Sequence, residues 1–333
     1  MSNIQFKKLC GKSQLGEIIS SPAAVSGGLL HKMYVIETSQ GKYAIKILNP
    51  QIMMRAEAMQ NYIHSEKIAN LLSNTIPALP AKKCNHTFIQ EFENVFYLIF
   101  DWIDGHCLKP NEIETDHCEK IGTILADIHK ADFSELNILD ERSNYEMQTD
   151  WDHYLHKGKE SNSEWVKLLL ENMKKLKSWT KITNESVKLL ASNHVISHRD
   201  LDPKNVMWNF DNPILIDWES AGHINPLQDL IETAIYWSKM KVGDIDKKRF
   251  FAFINGYKKR TGILEANWKM VLANGFWGKL GWLEYNLKRS LWIECSDEEE
   301  QQLGTSQVIS TINAINQYSD MTPKLENWLN NEL

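Results

Sequence analysis

The sequence is poor in the features that would place it in a specialised class. Its five cysteines, Cys10, Cys84, Cys107, Cys118 and Cys295, are an odd number, lie far apart and form no C-x-x-C pair. That spacing excludes a zinc knuckle or a dithiol motif and points to reduced thiols. No run of about 18 uncharged apolar residues occurs, so no membrane-spanning helix and no membrane partner are expected. Met1 to Gly11 carries two lysines with no apolar segment behind them, which does not read as a signal peptide. Lys/Arg-dense stripes are also missing: 37 basic against 43 acidic residues leave a net charge of −6, so a nucleic-acid partner is not expected. What remains is ordinary and sufficient. With 333 residues, 43% of them hydrophobic and 24% charged, the chain can bury a large core as one large or two joined domains, with the cytoplasm as its expected address.

Two patterns divide the chain. Before residue 101 the runs are β-like: Met33 to Thr38 and Lys42 to Leu48 flank Ser39-Gln40-Gly41 and predict a hairpin. Met53 to Ser73 lacks Gly and Pro and places Ile63, Ile68, Leu71 and Leu72 on one helical face, predicting a helix packed on the sheet. A second strand pair, Thr87 to Phe92 and Val95 to Phe100, is expected around Glu93-Asn94. Beyond the connector Asp101 to Gly105 the spacing turns helical: 116–131, capped by Thr115 or Asp116, then 164–190, 227–240, 246–261 and 266–291. A strand-rich patch at 194–217 interrupts these. Ser296 and the acidic run Asp297 to Glu300 read as the capped start of a last helix. The expected division is 1–100, a connector at 101–105, and 106–333.

The strongest chemical signal lies in the patch. His198-Arg199-Asp200-Leu201-Asp202-Pro203-Lys204-Asn205 is followed by apolar Ile214-Leu215-Ile216 and then Asp217. Phosphoryl transfer from a nucleotide needs a carboxylate to orient the attacking hydroxyl and accept its proton. It also needs oxygen ligands for Mg²⁺, which offsets charge on the β- and γ-phosphates. One loop and one strand end can supply all of these, with Asp200 as the base, Asn205 and Asp217 as metal ligands, and His198 bracing the loop.

Those residues, with Ile216-Asp217-Trp218-Glu219, resemble the aminoglycoside phosphotransferase and choline kinase family. Ile121-Gly122 through Leu125-Ala126-Asp127-Ile128-His129 resembles the helix that precedes the family's catalytic loop, so the likeness spans about residues 20–240. The resemblance implies an α+β, two-lobed protein-kinase-like fold. Its N-lobe is a small antiparallel sheet with one packed helix, and its C-lobe is larger and mostly helical. Departures from protein kinases narrow the substrate. Asp202 stands where a lysine is usual, Trp218-Glu219 replaces Phe-Gly, and no Ala-Pro-Glu follows. Protein substrates are therefore disfavoured, and the role of Arg199 stays open.

In Tyr43-Ala44-Ile45-Lys46, strand alternation puts Ala44 and Lys46 on one face. A small side chain there admits a purine, and the ammonium reaches the α- and β-phosphates of ATP or GTP. Lys46 needs a carboxylate partner; Glu66 is preferred because Glu66-Lys67 with Leu71-Leu72 resembles the family's helix, and Glu57 is the rival. Ser26-Gly27-Gly28 lies where such a kinase covers the phosphates, and Asp101, Trp102 and Ile103 form the hinge that reads the base. On the acceptor side the resemblance points to the insertion around Trp151 and to the C-terminal helices with Trp282 and Glu284, together with Asp202 and Glu219. Carboxylates and aromatics suit an amine-bearing alcohol such as an aminoglycoside. A metabolic kinase for choline, a sugar or an amino alcohol is the alternative, and a catalytically silent nucleotide-binding regulator is the alternative of another class.

Overall fold

Residues 32–47 place β-branched and aromatic side chains on either side of a turn, and in the computed structural model of the protein they form the hairpin of β2 (Lys32–Thr38) and β3 (Gly41–Ile47). The structure describes residues 3–25, 30–139, 146–240 and 244–333, and the expected phosphate-covering residues Ser26, Gly27 and Gly28 lie outside them. Around the hairpin come α1 (Asn3–Lys12), β1 (Ala23–Val25), α2 (Pro50–Met53), α3 (Ala58–Leu72), β4 (Gln90–Phe92), β5 (Val95–Asp101) and β6 (His106–Cys107). The chain continues through α4 (Thr115–Lys130), α5 (Trp151–Glu160), α6 (Val166–Leu190), β7 (Val195–Ser197), β8 (Val206–Asn209), β9 (Asn212–Leu215) and β10 (Gly222–Ile224). Helices α7 (Pro226–Ser238), α8 (Lys247–Thr261), α9 (Trp268–Asn274), α10 (Phe276–Ser290) and α11 (Glu298–Glu332) complete it.

The chain divides into two compact units. The first, 1–109 with 131–138 and 198–222, holds an antiparallel sheet of order β1-β2-β3-β5-β4. Strand alternation sorts its side chains. Ile36, Tyr43, Ile45 and Ile99 pack under Phe6 and Leu9 of α1, whereas Leu98 and Phe100 pack with Tyr62 of α3. Each fully buried Leu or Ile contributes about 2 kcal/mol. A second small sheet, β6-β8-β9, is tied to the segment before β4: Leu79 N–H donates to Leu215 C=O (2.9 Å) and Leu215 N–H to Pro77 C=O (2.8 Å).

The second unit, 110–130 with 139–197 and 223–333, is helical. In it α4 and α8 pack with their backbones nearly touching. A Cβ on Gly122 would lie 2.0 Å from the Phe253 carbonyl oxygen, and one on Gly256 2.1 Å from that of Glu119. As the acidic run suggests, Asp297 caps α11 by accepting from Glu300 N–H (2.9 Å), and the Glu300 carboxylate reaches back to Ser296 N–H (2.8 Å). Among the described residues no helix is long and apolar enough to cross a membrane.

Several expected boundaries shift for local reasons. The helix expected over 53–73 starts later, as α3 at Ala58, because the short α2 begun by Asn49 and Pro50 ends at Met53 and turns follow it. The strand expected from Thr87 shrinks to β4, since Thr87 and Cys84 close a turn on each other. Helix α4 already includes Thr115, and His117 Nδ1 instead accepts from Glu114 N–H (3.0 Å). The helix expected over 266–291 is divided at Gly275 into α9 and α10, where the Tyr318 hydroxyl takes the Leu272 carbonyl (2.6 Å).

The α4–α8 contact predicts a stability difference. Gly122→Ala or Gly256→Ala should cost about 3 kcal/mol in urea unfolding, because backbone cannot yield as a side chain does. Gly278, with nothing within 4 Å of its would-be Cβ, is the control: Gly278→Ala should stabilise by roughly 0.5–1 kcal/mol. Equal curves for all three variants would contradict the close contact.

Candidate active site

The loop from His198 to Asn205 is folded by its own side chains. His198 is fully buried and donates from Nε2 to the Ile216 carbonyl (3.0 Å). Its Nδ1 lies 3.4 Å from Asp200 N–H, and its ring meets Trp218 at 4.5 Å. Asn205 donates from Nδ2 to both the carbonyl (2.8 Å) and the carboxylate (2.9 Å) of Asp200. Asp202 caps the turn Pro203–Asn205 by accepting from Lys204 N–H (3.0 Å). Two non-glycine residues, Arg199 (φ 65°) and Asp217 (φ 61°), take left-handed backbone conformations on either side of this arrangement, the sort of local strain that a well-anchored site tolerates. Asp200 is about one-third exposed, with Lys204 Nζ 3.5 Å away, and burial pushes its carboxyl up to about 6.

Ile216 N–H donates to the Asn205 carbonyl (3.0 Å), which brings Asp217 beside Asn205. Because the Asn205 amide nitrogen faces Asp200, its Oδ1 is the atom left to ligate. A carboxylate and an amide oxygen are the hard donors Mg²⁺ takes when phosphate oxygens and water complete its shell, so this pair fits that ion. Among the described residues no group of three or more His, Cys, Asp or Glu side chains is arranged to hold a metal.

Lys46 on β3 is buried and forms two ion pairs, to Asp217 Oδ1 (2.7 Å) and Glu219 Oε2 (2.5 Å). Burial alone would depress its pKa, but those two carboxylates more than reverse this and hold it above the usual lysine range. Burial likewise opposes ionisation of Glu219, yet Lys46 and the His31 hydrogen bond hold it far below the carboxylate range. The expected Lys46–Glu66 pair is not what the geometry contains. Glu66 is buried on α3, accepts from Ala81 N–H (2.6 Å) and feels Lys46 only through its field; burial pushes it up to about 7. Glu219, placed on the acceptor side from the sequence, sits on Lys46, His31 and Tyr62.

At the expected hinge, Trp102 N–H donates to Lys42 C=O (3.0 Å). With Asp101 opposite Tyr43 in the ladder, that register turns the Asp101 main-chain groups away from β3. Ala44 faces Phe100 across the same ladder. In the second unit Trp151 is buried and donates to Thr180 Oγ1 (3.0 Å), the place of a core residue. Glu284 receives the hydroxyls of Thr149 and Tyr154 (3.1 Å for the latter), with Lys288 at 3.8 Å. Trp282 lies against Tyr285 at 5.5 Å.

The structure thus brings Lys46, Asp217, Glu219, Asn205, Asp200 and His198 into one linked set, and it adds His31 and Tyr62, which sequence reasoning missed. Tyr62 left a faint trace, one helical turn before Glu66 on the buried face of α3; His31 left none.

The sequence profile of the phosphotransferase enzyme family matches residues 22–262. Among solved structures the chain is similar to spectinomycin phosphotransferase in complex with ADP and spectinomycin, at 12% identity and a TM-score of 0.68 over 95% of this chain and 99% of that one. It is also similar to Plasmodium vivax ethanolamine kinase, at 17% identity and a TM-score of 0.60 over 92% and 86% of the two chains. Choline kinase from Cryptosporidium parvum matches at 15% identity and a TM-score of 0.55 over 99% and 100%. At such identities the likeness is one of fold, the protein-kinase-like α+β fold. Among curated proteins there is no match.

The buried Glu66 predicts a pH dependence of stability. Its folded pKa, about 7, lies above the ordinary 4.5, so the stability it contributes is fully present below the unfolded value and is lost as pH rises through about 7. Glu66→Gln keeps an acceptor for Ala81 N–H and does not ionise. Between about pH 4.5 and 8 the wild type should lose roughly 3 kcal/mol more than the variant in denaturant melts; parallel curves would contradict the burial.

Proposed function

We propose, from the premise that this chain belongs to the phosphotransferase enzyme family and is a small-molecule kinase, that it moves the γ-phosphate of ATP or GTP onto a hydroxyl of an amine-bearing alcohol. The observation that carries this reading is the linked set of Lys46, Asp217, Asn205 and Asp200 within one unit. No structural role requires a base, two hard metal ligands and a buried ammonium together.

In this reading Asp200 accepts the hydrogen bond of the acceptor hydroxyl. It takes the proton as the new oxygen–phosphorus bond forms and the bond to the β-phosphate oxygen breaks. A carboxyl raised to about 6 is a better proton acceptor near neutral pH than an ordinary one, and Lys204 offsets its charge. His198 and Asn205 fix where that carboxylate points. Lys46 meets the α- and β-phosphates. Asn205 Oδ1 and the Asp217 carboxylate would hold Mg²⁺, which when bound offsets charge on the β- and γ-phosphates. The main chain of Asp101 to Ile103 reads the base beside Ala44, and Ser26-Gly27-Gly28 covers the phosphates. Residues 1–100 then serve the nucleotide, 101–105 the hinge, and 106–333 catalysis and the acceptor, in a cytoplasmic enzyme.

For the acceptor, Glu284 supports an amine. Its carboxylate is oriented by the Thr149 and Tyr154 hydroxyls, and the Trp282–Tyr285 pair adds aromatic faces suited to a cation. The solved relatives named for ethanolamine and choline act on compounds that join a cationic nitrogen to a hydroxyl, which agrees with that class.

The test is to incubate the protein with Mg-ATP or Mg-GTP and a panel of amino alcohols, aminoglycosides and sugars, and to detect phosphorylated product by mass. Asp200→Asn still accepts from Asn205 Nδ2, so it should fold and bind nucleotide while kcat falls about a thousandfold. Wild type and variant equally inert across the panel, both binding nucleotide, would instead support the silent regulatory module.

A further inference from the structure

Glu219 Oε2 gathers three donors: Lys46 Nζ at 2.5 Å, His31 Nε2 at 3.1 Å and the Tyr62 hydroxyl at 3.4 Å. Their hydrogens are set by a backbone group. Asn49 N–H points at His31 Nδ1 (2.9 Å), so that nitrogen is an acceptor and the ring proton sits on Nε2. From there the ring faces both Tyr62 Oη (2.7 Å) and Glu219, and the Tyr62 hydroxyl is left to donate to the carboxylate. A directed chain results, from the Asn49 amide through His31 and Tyr62 to Glu219, where Lys46 donates from the other side. It joins the start of β2, the segment before α2, helix α3, the turn after β9, and β3. His31 and Tyr62 are buried, and the side chain of Glu219 is 20% exposed.

Glu66, by contrast, is spent elsewhere. It accepts from Ala81 N–H at 2.6 Å and makes no ion pair with Lys46 among the described residues. The partner that such a lysine needs is therefore supplied by the segment just after Asp217, not by helix α3, and α3 contributes through the Tyr62 hydroxyl.

We infer that Glu219 is the carboxylate that holds Lys46 for the phosphoryl donor, and that His31 and Tyr62 are positioning residues that fix Glu219. This rests on the reading of Lys46 as the donor-phosphate ligand. Glu219 works on the lysine, so its effect is felt with or without a divalent cation. Tyr62 and His31 work through Glu219, so their effects vanish once that carboxylate is gone.

The test is direct titration of ATP, in Mg²⁺ and in EDTA, onto wild type, Glu219→Gln, Glu66→Gln, Tyr62→Phe, the double variant Glu219→Gln/Tyr62→Phe, and Lys46→Ala. Expected is a loss of affinity of about thirtyfold in Glu219→Gln, as for one partner removed from a buried charge pair, present in both media and larger than that in Glu66→Gln. Tyr62→Phe, which keeps the ring and so the fold, should lose about fivefold in the wild-type background and nothing further in the Glu219→Gln background. A Glu66→Gln loss equal to or larger than that of Glu219→Gln, a Glu219→Gln effect confined to Mg²⁺, or additive losses in the double variant would each overturn the inference. Unchanged affinity in Lys46→Ala would instead bring down the donor-lysine reading itself, and this inference with it.

Discussion

The candidate site in the first unit is arranged around one buried ammonium. A lysine taken out of water is costly unless its charge is met at close range, and Lys46 on β3 is met twice, by Asp217 and Glu219. Satisfying that charge fixes the turn after β9 against the sheet. The same turn carries Trp218, whose indole donates to the Leu215 carbonyl (3.1 Å) and whose ring supports His198. His198 in turn bonds Ile216, and Ile216 bonds Asn205. The position of the Asp200 carboxylate thus follows, link by link, from where the lysine finds its counter-charge.

This dependence explains which parts of the site were legible. Asp200, Asn205 and Asp217 could be read because they fall within eighteen residues of one another, where a loop and one strand must bring them together. Lys46 and Ala44 could be read because alternation on a strand needs no knowledge of the partner. The partner itself could not be read. Glu219 lies 173 residues from Lys46, and nothing local distinguishes it from Glu66, which has the more suggestive helical setting. His31 has no sequence signature because its place depends on an amide of Asn49 and a hydroxyl on α3.

The helical unit was legible in outline and not in detail. Periodicity located its helices, and the acidic run marked the cap of α11 at Asp297, whereas Asn225 and Asp246 cap α7 and α8 without having been singled out. Pattern could not separate Trp151, a core residue bonded to Thr180, from the aromatics that flank Glu284, because burial depends on neighbours distant in sequence. A second buried network, His129 with Asp229 (2.9 Å), Tyr257 (2.8 Å) and Ser197 (3.2 Å), also escaped notice. Asp229 and Ser197 share one ring nitrogen of His129. That geometry suits a structural anchor for the end of β7 and not a nucleophilic triad, in which the acid and the hydroxyl take opposite nitrogens.

In the proposed reaction the γ-phosphoryl group leaves the nucleotide for a hydroxyl oxygen of a small molecule. That transfer is tested most directly by following a labelled γ-phosphate in the presence of a pooled small-metabolite extract. The label should move into a low-molecular-weight phosphate monoester, and only when divalent cation is present. Label that stays on the nucleotide, appears solely as inorganic phosphate, or becomes attached to protein would contradict it.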